Sequence, residues 1–572
     1  MSRRRPAKAG RTETGPTETP TAPQVTAANS SARPESKLAA AAASVAMVIA
    51  LSRLAGFARV LTQSFVLGGS AVNDAYNIAN TTPNQVYDLV VGGILSATIV
   101  PIFVEQLRNT SADRDTPRAA RTDGWAGVSA VCTTMTAILM AVAVALAIAA
   151  PLVVRLFTLR AGSRSHVQAE VMGDLLRWFA PQVALYGMAT LAMAVLNALN
   201  RFALALATSL ANNAVVIAMF WFFPGRGKQL DLATINAQPT WTMWLGIGTT
   251  LGVAAYAGLL IPLLRRAKAH IFWNWDLRHP AVRQVVRLSG WTLGWVVANQ
   301  VAVNMMLILA NRREGDPTAY SNGYTFFQLP FAVVSTAVMT ALQPELTRRW
   351  LDARRQAFTD LVRKGATTIL AFVLPAAAGF VALARPAVEL LLAHGEFSEA
   401  SARVTADVVA ILAVGLPGFS LFMFFVRALQ ATQNARRIFA VYLVQNGLNV
   451  ALGLWWVREW HVQGLAASIT VSYTIGALLA AREVRRVARR RRRLLDGSVR
   501  RVALRGLALA LGVGLGAMYA VGVLDPTTNA DRARALVVIG GLGATVYLTL
   551  AVALGLVQAP SLRALRRSRA QR

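Results

Sequence analysis

Acidic residues are scarce in this chain. Asp and Glu number 27 against 58 Lys and Arg, and charged residues of both signs fill only 15% of the 572 positions. A water-soluble protein of this length carries a far more charged surface, so a soluble globular fold is excluded. Cysteine occurs once, as Cys132 inside an apolar run, which rules out an intrachain disulfide and a Cys-based metal cluster. The five histidines, His166, His270, His279, His394 and His461, are scattered over expected loops. They read as solvated imidazoles, and no metal site is expected. A Walker A loop, HExxH and GxSxG are all missing, so the chain is not expected to be an enzyme, to hydrolyse ATP or to hold a cofactor. The alternating apolar and polar pattern of an outer-membrane barrel is absent too.

Long apolar runs dominate instead. Hydrophobic residues make up 55% of the chain, and the mean hydropathy is +0.46. Runs of about 20 residues, enough to cross a hydrocarbon core, recur throughout. Fourteen spans are expected, at roughly 38–66, 73–106, 125–157, 171–199, 203–223, 242–264, 286–311, 318–347, 362–384, 400–429, 436–457, 463–481, 502–523 and 533–556. The fold class is an all-α polytopic membrane protein. The second span contains Pro83, where a break or hinge is expected.

The net charge of +31 invites a nucleic-acid reading, but the basic residues cluster between apolar runs and at the two ends. That is the positive-inside pattern, which orients a membrane protein and attracts anionic headgroups; no nucleic-acid partner is expected. With the N-terminus inside, the expected inner loops include "RRAKAHIFWNWDLRHPAVRQVVR" and "RRWLDARRQAFTDLVRK", while outer segments such as "LGGSAV" and "AHGEFSEASA" are neutral or acidic. An even span count places both termini in the cytoplasm. The first residues lack an apolar signal-peptide core and are rich in Pro, Thr, Ala and Arg, so 1–36 reads as a disordered cytoplasmic tail. The rest divides into a six-helix lobe at 37–265, a second at 266–487, a basic linker at 488–499, two further helices within 500–556 and a basic tail at 557–572. Two repeated bundles around a central cavity are a common transporter layout.

Chemistry must then lie in intramembrane polar residues. A charge at mid-bilayer costs at least about 2.5–3.5 kcal/mol on insertion scales, so it faces protein or water. Arg53 and Arg59 are six positions apart, roughly 240° around a straight helix, and do not share one narrow face. A broad aqueous cavity, or a bend at Gly56, would let both serve one ligand; snorkelling to headgroups is the alternative, poor for Arg53 deep in its span. In the second span Asn77, Asn80 and Asn84 share one face, with Asp74 a turn earlier on the same stripe. Cavity lining and interhelical hydrogen bonding are equally good readings of that stripe. Gln300, Asn304 and Gln328 could line the cavity from the second half, as could Gln445, Asn446 and Asn449, with the same alternative.

"SRLAGFAR", "DAYNIANTTPN", "GGILSATIVPIF", "LNALNRFALA", "FFQLPFAVVSTAVMTALQPELTRR" and "LLLAHGEFSEASA" occur in that order. Together they resemble the lipid II flippases of the MurJ (MviN) type, in the multidrug/oligosaccharidyl-lipid/polysaccharide exporter superfamily. The resemblance runs from about Lys37 to Val487 and more loosely beyond. It implies fourteen helices: two six-helix lobes in a V around a cationic central cavity, plus two C-terminal helices forming a groove for a lipid tail. It implies movement of undecaprenyl-diphosphate-linked glycopeptide, lipid II, to the outer leaflet of the cytoplasmic membrane by alternating access, in peptidoglycan and cell-wall synthesis. Arg53, Arg59 and Asp74 match cavity residues of the family, and guanidinium suits a diphosphate. Arg427 is a further cavity candidate, and cell-wall synthesis and division proteins are candidate partners. Tyr87, Asp88 and Thr325 stand where many members carry arginine, so the cavity is expected to be less positive; Asn434 stands where an aspartate is usual. Export of another polyprenyl-linked polysaccharide, or a transport-inactive cell-wall scaffold, are the alternatives. A cationic cavity argues against a cation-coupled drug exporter.

Overall fold

The structure, a computed structural model, describes residues 32–92, 99–111, 118–199, 201–288, 290–488 and 497–556. The expected tail up to residue 31, the linker over 489–496, the tail over 557–572, Gly93 and Asn200 lie outside these residues. Two units can be drawn: Met1–Met47, whose described part is the start of the first helix, and Val48–Arg572, which holds every other element. The first helix begins at Ala32, inside the segment 1–36 expected as tail.

Among the described residues there are helices and no strand. The first ten helices are α1 Ala32–Leu67, α2 Ala71–Tyr87, α3 Val100–Ser111, α4 Arg118–Thr158, α5 Ser165–Phe179, α6 Gln182–Ala198, α7 Phe202–Ala207, α8 Ser209–Trp221, α9 Leu232–Asn236 and α10 Pro239–Arg266. After a connecting segment come α11 Pro280–Leu288, α12 Gly290–Ala310, α13 Asp316–Pro330, α14 Thr336–Leu351, α15 Arg355–Leu392, α16 Glu399–Ala431, α17 Ala435–Val487, α18 Gly497–Leu524 and α19 Asn529–Ala553.

Ten of the described helical stretches are long and apolar enough to cross a membrane by length and composition. The difference from fourteen has local causes. The stretch expected as the second span is polar and broken, α7 and α8 are short, and much of α1 precedes Val48. Expected spans eleven and twelve form one helical run, α17, interrupted at His461 (φ 47°, ψ −130°). Its two arms fold back on each other, since Gln445 bonds Ser472, Asn449 bonds Ser468 and Arg437 pairs with Glu483. The cluster Gln445, Asn446 and Asn449 is therefore buried between arms of one hairpin.

The break in the second span lies five residues past Pro83. Pro83 has no N–H for the carbonyl of Ala79, yet α2 continues through it to Tyr87 and then widens into a π-helical turn, Asp88–Gly92. The hydroxyls of Thr81 and Thr82 bond the carbonyls of Asn77 and Ile78 next to the gap, which supports the helix across it. A second π-turn, Phe331–Ser335, follows Pro330 at the end of α13. Proline again precedes the widened turn, as expected where the i→i−4 ladder loses a donor.

Two large cores sort the helices. One joins the end of α1, most of the helices from α2 to α11 and Leu307 of α12 around Tyr76, Phe103, Phe179 and Phe220, while Met306, Leu309 and Ala310 of α12 pack with Val457 and Leu465 of α17. The other joins α13 to α17 around Phe327, Phe358, Phe422 and Phe424, with Phe419 and Tyr473 edge to face at 4.7 Å. A smaller core docks α18 and α19 on α15, where the Tyr547 hydroxyl bonds the Ala371 carbonyl at 2.9 Å. Large apolar side chains such as Ile148, Leu152, Leu515 and Val537 point outward on α4, α18 and α19. A continuous outward apolar surface needs lipid around it; this is a multi-pass membrane protein.

Close helix contact in the second core depends on two glycines. A Cβ at Gly415 or at Gly418 would lie 2.8 Å from the Cα of Thr470 or Thr474 respectively. Backbone cannot yield as a flexible side chain can, so Gly418→Leu should force α16 and α17 apart. Overpacking of this kind costs about 1–3 kcal/mol. The expected result is a lower Tm of the detergent-solubilised protein, and an unchanged Tm would mean that the two helices are free to separate.

Candidate functional site

The two arginines of α1 address different surroundings. α1 runs unbroken through Gly56, so their helical offset persists. Arg53 is exposed, and its Nη1 reaches Gln328 Oε1 on α13 at 3.4 Å. Arg59 is half-buried and within electrostatic reach of the Tyr76 and Tyr186 hydroxyls, on α2 and α6. Its Nε is fully buried and has no hydrogen-bond partner. Gly56 is not tightly packed: the nearest atom to a Cβ there would be Asn213 Oδ1 at 4.0 Å.

One turn beyond Arg59, α1 enters a dense polar network. Asp74 is 0% exposed. Its carboxylate accepts from the Gly315 N–H at 2.7 Å, the Thr318 N–H at 3.0 Å and the Thr318 hydroxyl at 2.7 Å. These donors belong to the N-terminus of α13, whose N-cap residue, Gly315, has no side chain to satisfy them and sits at φ 82°. Asp74 supplies that cap from another helix, with its charge at the positive end of the α13 dipole. The arrangement is reciprocal, because Glu314 Oε1 accepts from the Ala71 N–H at the start of α2 at 3.0 Å. Gly315 is required here on two counts: its left-handed backbone, and a Cβ that would come 2.9 Å from the Gly69 carbonyl oxygen.

Around this cross-cap the remaining polar groups close on one another. Gln63 Nε2 donates to both Asn73 and Asn77 at 2.7 Å, Asn77 donates to Thr318 at 3.2 Å, and Asn322 donates to Ser64 at 2.9 Å. The Glu396 N–H bonds the Phe65 carbonyl at 3.0 Å. The stripe on α2 therefore splits. Asp74 and Asn77 belong to the seal; the Asn84 amide turns to the carbonyl of Asn80 at 3.3 Å, beside Tyr186, and Asn80 is half-buried one turn below Asn77.

In the second group the expected residues are dispersed. Gln300 Nε2 donates to Asp88 Oδ2 at 3.3 Å, joining α12 to the π-turn after α2. Asn304 is satisfied by the Gln300 carbonyl of its own helix at 2.7 Å. Arg427 is exposed and within electrostatic reach of Tyr442. Three positions where the resemblance leads one to expect charge are in use: the Tyr87 hydroxyl meets Thr190 at 2.5 Å, Thr325 bonds its own helix at Ser321, and Asn434 caps α17 by accepting from the Arg437 N–H. Among the described residues no group of three or more His, Cys, Asp or Glu could hold a metal ion.

Sequence reasoning missed Gln63, Asn73, Glu314, Gly315, Thr318 and Asn322. The one signal was "EGDP", a helix start with glycine at the N-cap and proline just inside it. The two C-terminal helices, where the resemblance implies a lipid-tail groove, enclose with α15 an apolar cavity of about 520 Å³ lined by Phe380, Leu383, Val513, Leu536 and Tyr547, and an ion cluster that the sequence did not announce lies at one end of these helices. There the nearly buried Arg532 meets Glu389 at 3.0 Å and Glu399 at 3.6 Å, and Arg385 meets Glu389 at 2.9 Å.

Two helical groups joined by a polar seal, with arginines on the helix leading into it, define a transporter-type membrane fold. Solved structures agree on the fold. One described as lipid II flippase MurJ in an inward closed conformation superposes with TM-score 0.69 at 16% identity, covering 89% of this chain and 98% of that one. An inward-facing multidrug-resistance MATE family transporter of the MOP superfamily superposes with TM-score 0.61 at 11% identity, covering 77% and 98%. The particular family follows from sequence: the family described as "Lipid II flippase MurJ" matches residues 64–526, and the chain belongs to it. Relatives include probable lipid II flippases MurJ of Rhizobium meliloti, 24% identical over 75% of this chain and 77% of the relative, and of Vibrio cholerae, 23% identical over 89% and 95%.

Proposed function

We propose that this chain moves lipid II from the inner to the outer leaflet of the cytoplasmic membrane by alternating access. The observation that carries the reading is that Arg53 and Arg59 of α1 lie directly before a sealed polar end. In this reading both termini are cytoplasmic, by the charge bias of the loops, and the seal closes the outer side. Residues 37–265 and 266–487 are the two lobes that rock against each other. Arg53 and Arg59 engage the diphosphate, Asn80 and Asn84 face the headgroup, and Asp74 with Asn77 couples lobe movement to substrate. Gln300, Gln328 and Arg427 line the second lobe's side. Pro83, with the π-turn after it, and Gly56 give the first two helices their freedom to bend. The apolar cavity among α15, α18 and α19 takes the lipid tail. Without an ATPase motif, drive comes from the membrane potential, an ion gradient or product removal. One charge crossing the field supplies about 2.3 kcal/mol per 100 mV, enough to bias a two-state equilibrium.

Complementation of a flippase-depleted cell tests this. Wild type should restore growth, while Arg53→Ala and Arg59→Ala should each fail, with lipid II accumulating in the inner leaflet, inaccessible from outside. Rescue by all three would overturn the arginine assignment. Asp88 favours a second reading, export of a different polyprenyl-linked glycan, because a carboxylate stands where the resemblance implies a cation. If lipid II export continues on depletion while another surface glycan disappears, that reading replaces the first.

A further inference from the structure

The connection from α10 to α11, residues 267–279, presents aromatic side chains that the described residues leave uncovered. Trp273 is 72% exposed and Trp275 58%, and their rings stack 6.2 Å apart with planes 13° from parallel. Phe272 and Leu277 are exposed beside them. The segment is nonetheless held in place. The Phe272 N–H donates to the Ser129 hydroxyl of α4 at 3.2 Å, the Asn274 N–H to the Thr133 hydroxyl at 3.1 Å, and the Asn274 side-chain amide to the Ala126 carbonyl at 3.0 Å. Trp125 meets His270 edge to face at 6.0 Å. Gly127 leaves room for His279, whose Cε1 would lie 2.8 Å from a Cβ there.

The depth of this ledge follows from α4. The stretch of α4 apt to cross a membrane, Gly124–Thr158, has 35 residues. At 1.5 Å per residue it is about 52 Å long, about 20 Å more than a hydrocarbon core. A turn or two at each end therefore stands in the headgroup layer. Ala126, Ser129 and Thr133, which hold the segment, belong to the first three turns. Trp273 and Trp275 thus lie near the level where headgroups meet acyl chains, the level that tryptophan favours.

The charge around the ledge is of one sign. Arg265, Arg266, Lys268, Arg278 and Arg283 are all exposed. Asp276 is the sole carboxylate between residues 265 and 283, and its Oδ1 is engaged by the Arg278 N–H at 2.9 Å. Cations around an apolar ledge complement a molecule with an anionic head and hydrocarbon chains. An acidic peptide or a nucleic acid would leave the tryptophans in water, and a zwitterionic lipid would leave the cations unmatched.

We propose that residues 265–283 dock an anionic phospholipid of the cytoplasmic leaflet, with its phosphate among Arg265, Arg266, Lys268 and Arg278 and its chains against Trp273 and Trp275. The leaflet rests on the orientation in the flippase reading. None of these residues belongs to the group assigned to lipid II, so the docked molecule is a lipid of the bilayer and not the cargo.

A bimane label on Leu277→Cys, in a Cys132→Ser background, reads which lipid lies beside the segment. The full chain is placed in phosphatidylcholine nanodiscs that carry the same small fraction of either brominated phosphatidylglycerol or brominated phosphatidylcholine, whose chains quench the label on contact. One Lys or Arg near an anionic surface adds about fivefold in binding. Phosphatidylglycerol should therefore be at least about fivefold enriched over phosphatidylcholine at the label. Lys268→Gln with Arg278→Gln should bring that preference below about twofold and leave quenching by phosphatidylcholine unchanged, which shows that the segment keeps its place. Trp273→Ala with Trp275→Ala should weaken quenching by both lipids. Equal quenching by the two lipids before any charge is removed, or a preference that survives the loss of Lys268 and Arg278, would overturn the site. So would loss of the preference in millimolar inorganic phosphate at constant ionic strength, which would make free phosphate the occupant. An impermeant maleimide tests the leaflet separately. Leu277→Cys should resist labelling from outside intact cells; ready labelling would overturn the orientation and the cytoplasmic placement, while the lipid preference is still decided by the quenching.

Discussion

Asp74→Asn should open the seal. Three donors, the Gly315 N–H, the Thr318 N–H and the Thr318 hydroxyl, converge on the two oxygens of one fully buried carboxylate. An amide of the same shape has one acceptor oxygen and turns an NH₂ group toward a donor. Hydrogen bonds to charged groups are worth about 1.5–3 kcal/mol each. Losing one shifts the balance between closed and open forms by roughly 10- to 150-fold. The cross-cap joins groups from two helical halves, so the cost falls on the closed form and not on either half alone. A cysteine at Asn80, just below the seal, reports the change. Cys132 is the only native cysteine and is buried, so Cys132→Ser gives a clean background. A membrane-impermeant maleimide added from outside should label Asn80→Cys slowly, and at least about tenfold faster when Asp74→Asn is present. Equal labelling rates would mean that Asp74 does not hold the outer side closed.

The second large effect lies where α19 meets the rest of the bundle. Glu389 and Arg532 are 4% and 8% exposed and 3.0 Å apart, and they pin α19 to α15. Breaking such a pair by removing one member costs about 3–5 kcal/mol, because the other charge stays buried and uncompensated. Glu389→Gln should therefore lower Tm strongly, leaving the nearly buried Arg532 only its longer 3.6 Å contact with the exposed Glu399. Replacing both members with neutral residues is far milder for buried pairs in general. The double variant Glu389→Gln with Arg532→Leu should accordingly recover most of the lost Tm, a non-additivity that marks direct coupling. A double variant no more stable than Glu389→Gln alone would show that the ion pair is not what attaches α19.

Much of this architecture is legible along the chain because hydropathy is local. Twenty consecutive residues suffice to announce a span, and a polar "REWHVQ" suffices to separate the two arms of α17 at His461. Proline told less: Pro83 marks a lost donor, but the helix yields five residues later, where hydroxyl bonds from Thr81 and Thr82 no longer support it. Arg53 and Arg59 were visible as costly charges in an apolar run. Their separation around the helix was visible too, and α1 keeps it.

Sequence alone determined that the chain is a polytopic helical membrane protein, and it marked two arginines as costly charges in an apolar run. Tertiary structure decided what the polar residues do. Asp74 and Asn84 lie on one stripe of one helix, yet one is a buried cap for a helix 241 residues away and the other turns back to the Asn80 carbonyl of its own helix. The pattern of a single helix reports which side chains share a face. It carries no information about which foreign helix end, carbonyl or orphaned amide waits opposite, because those partners are set by packing between segments hundreds of residues apart.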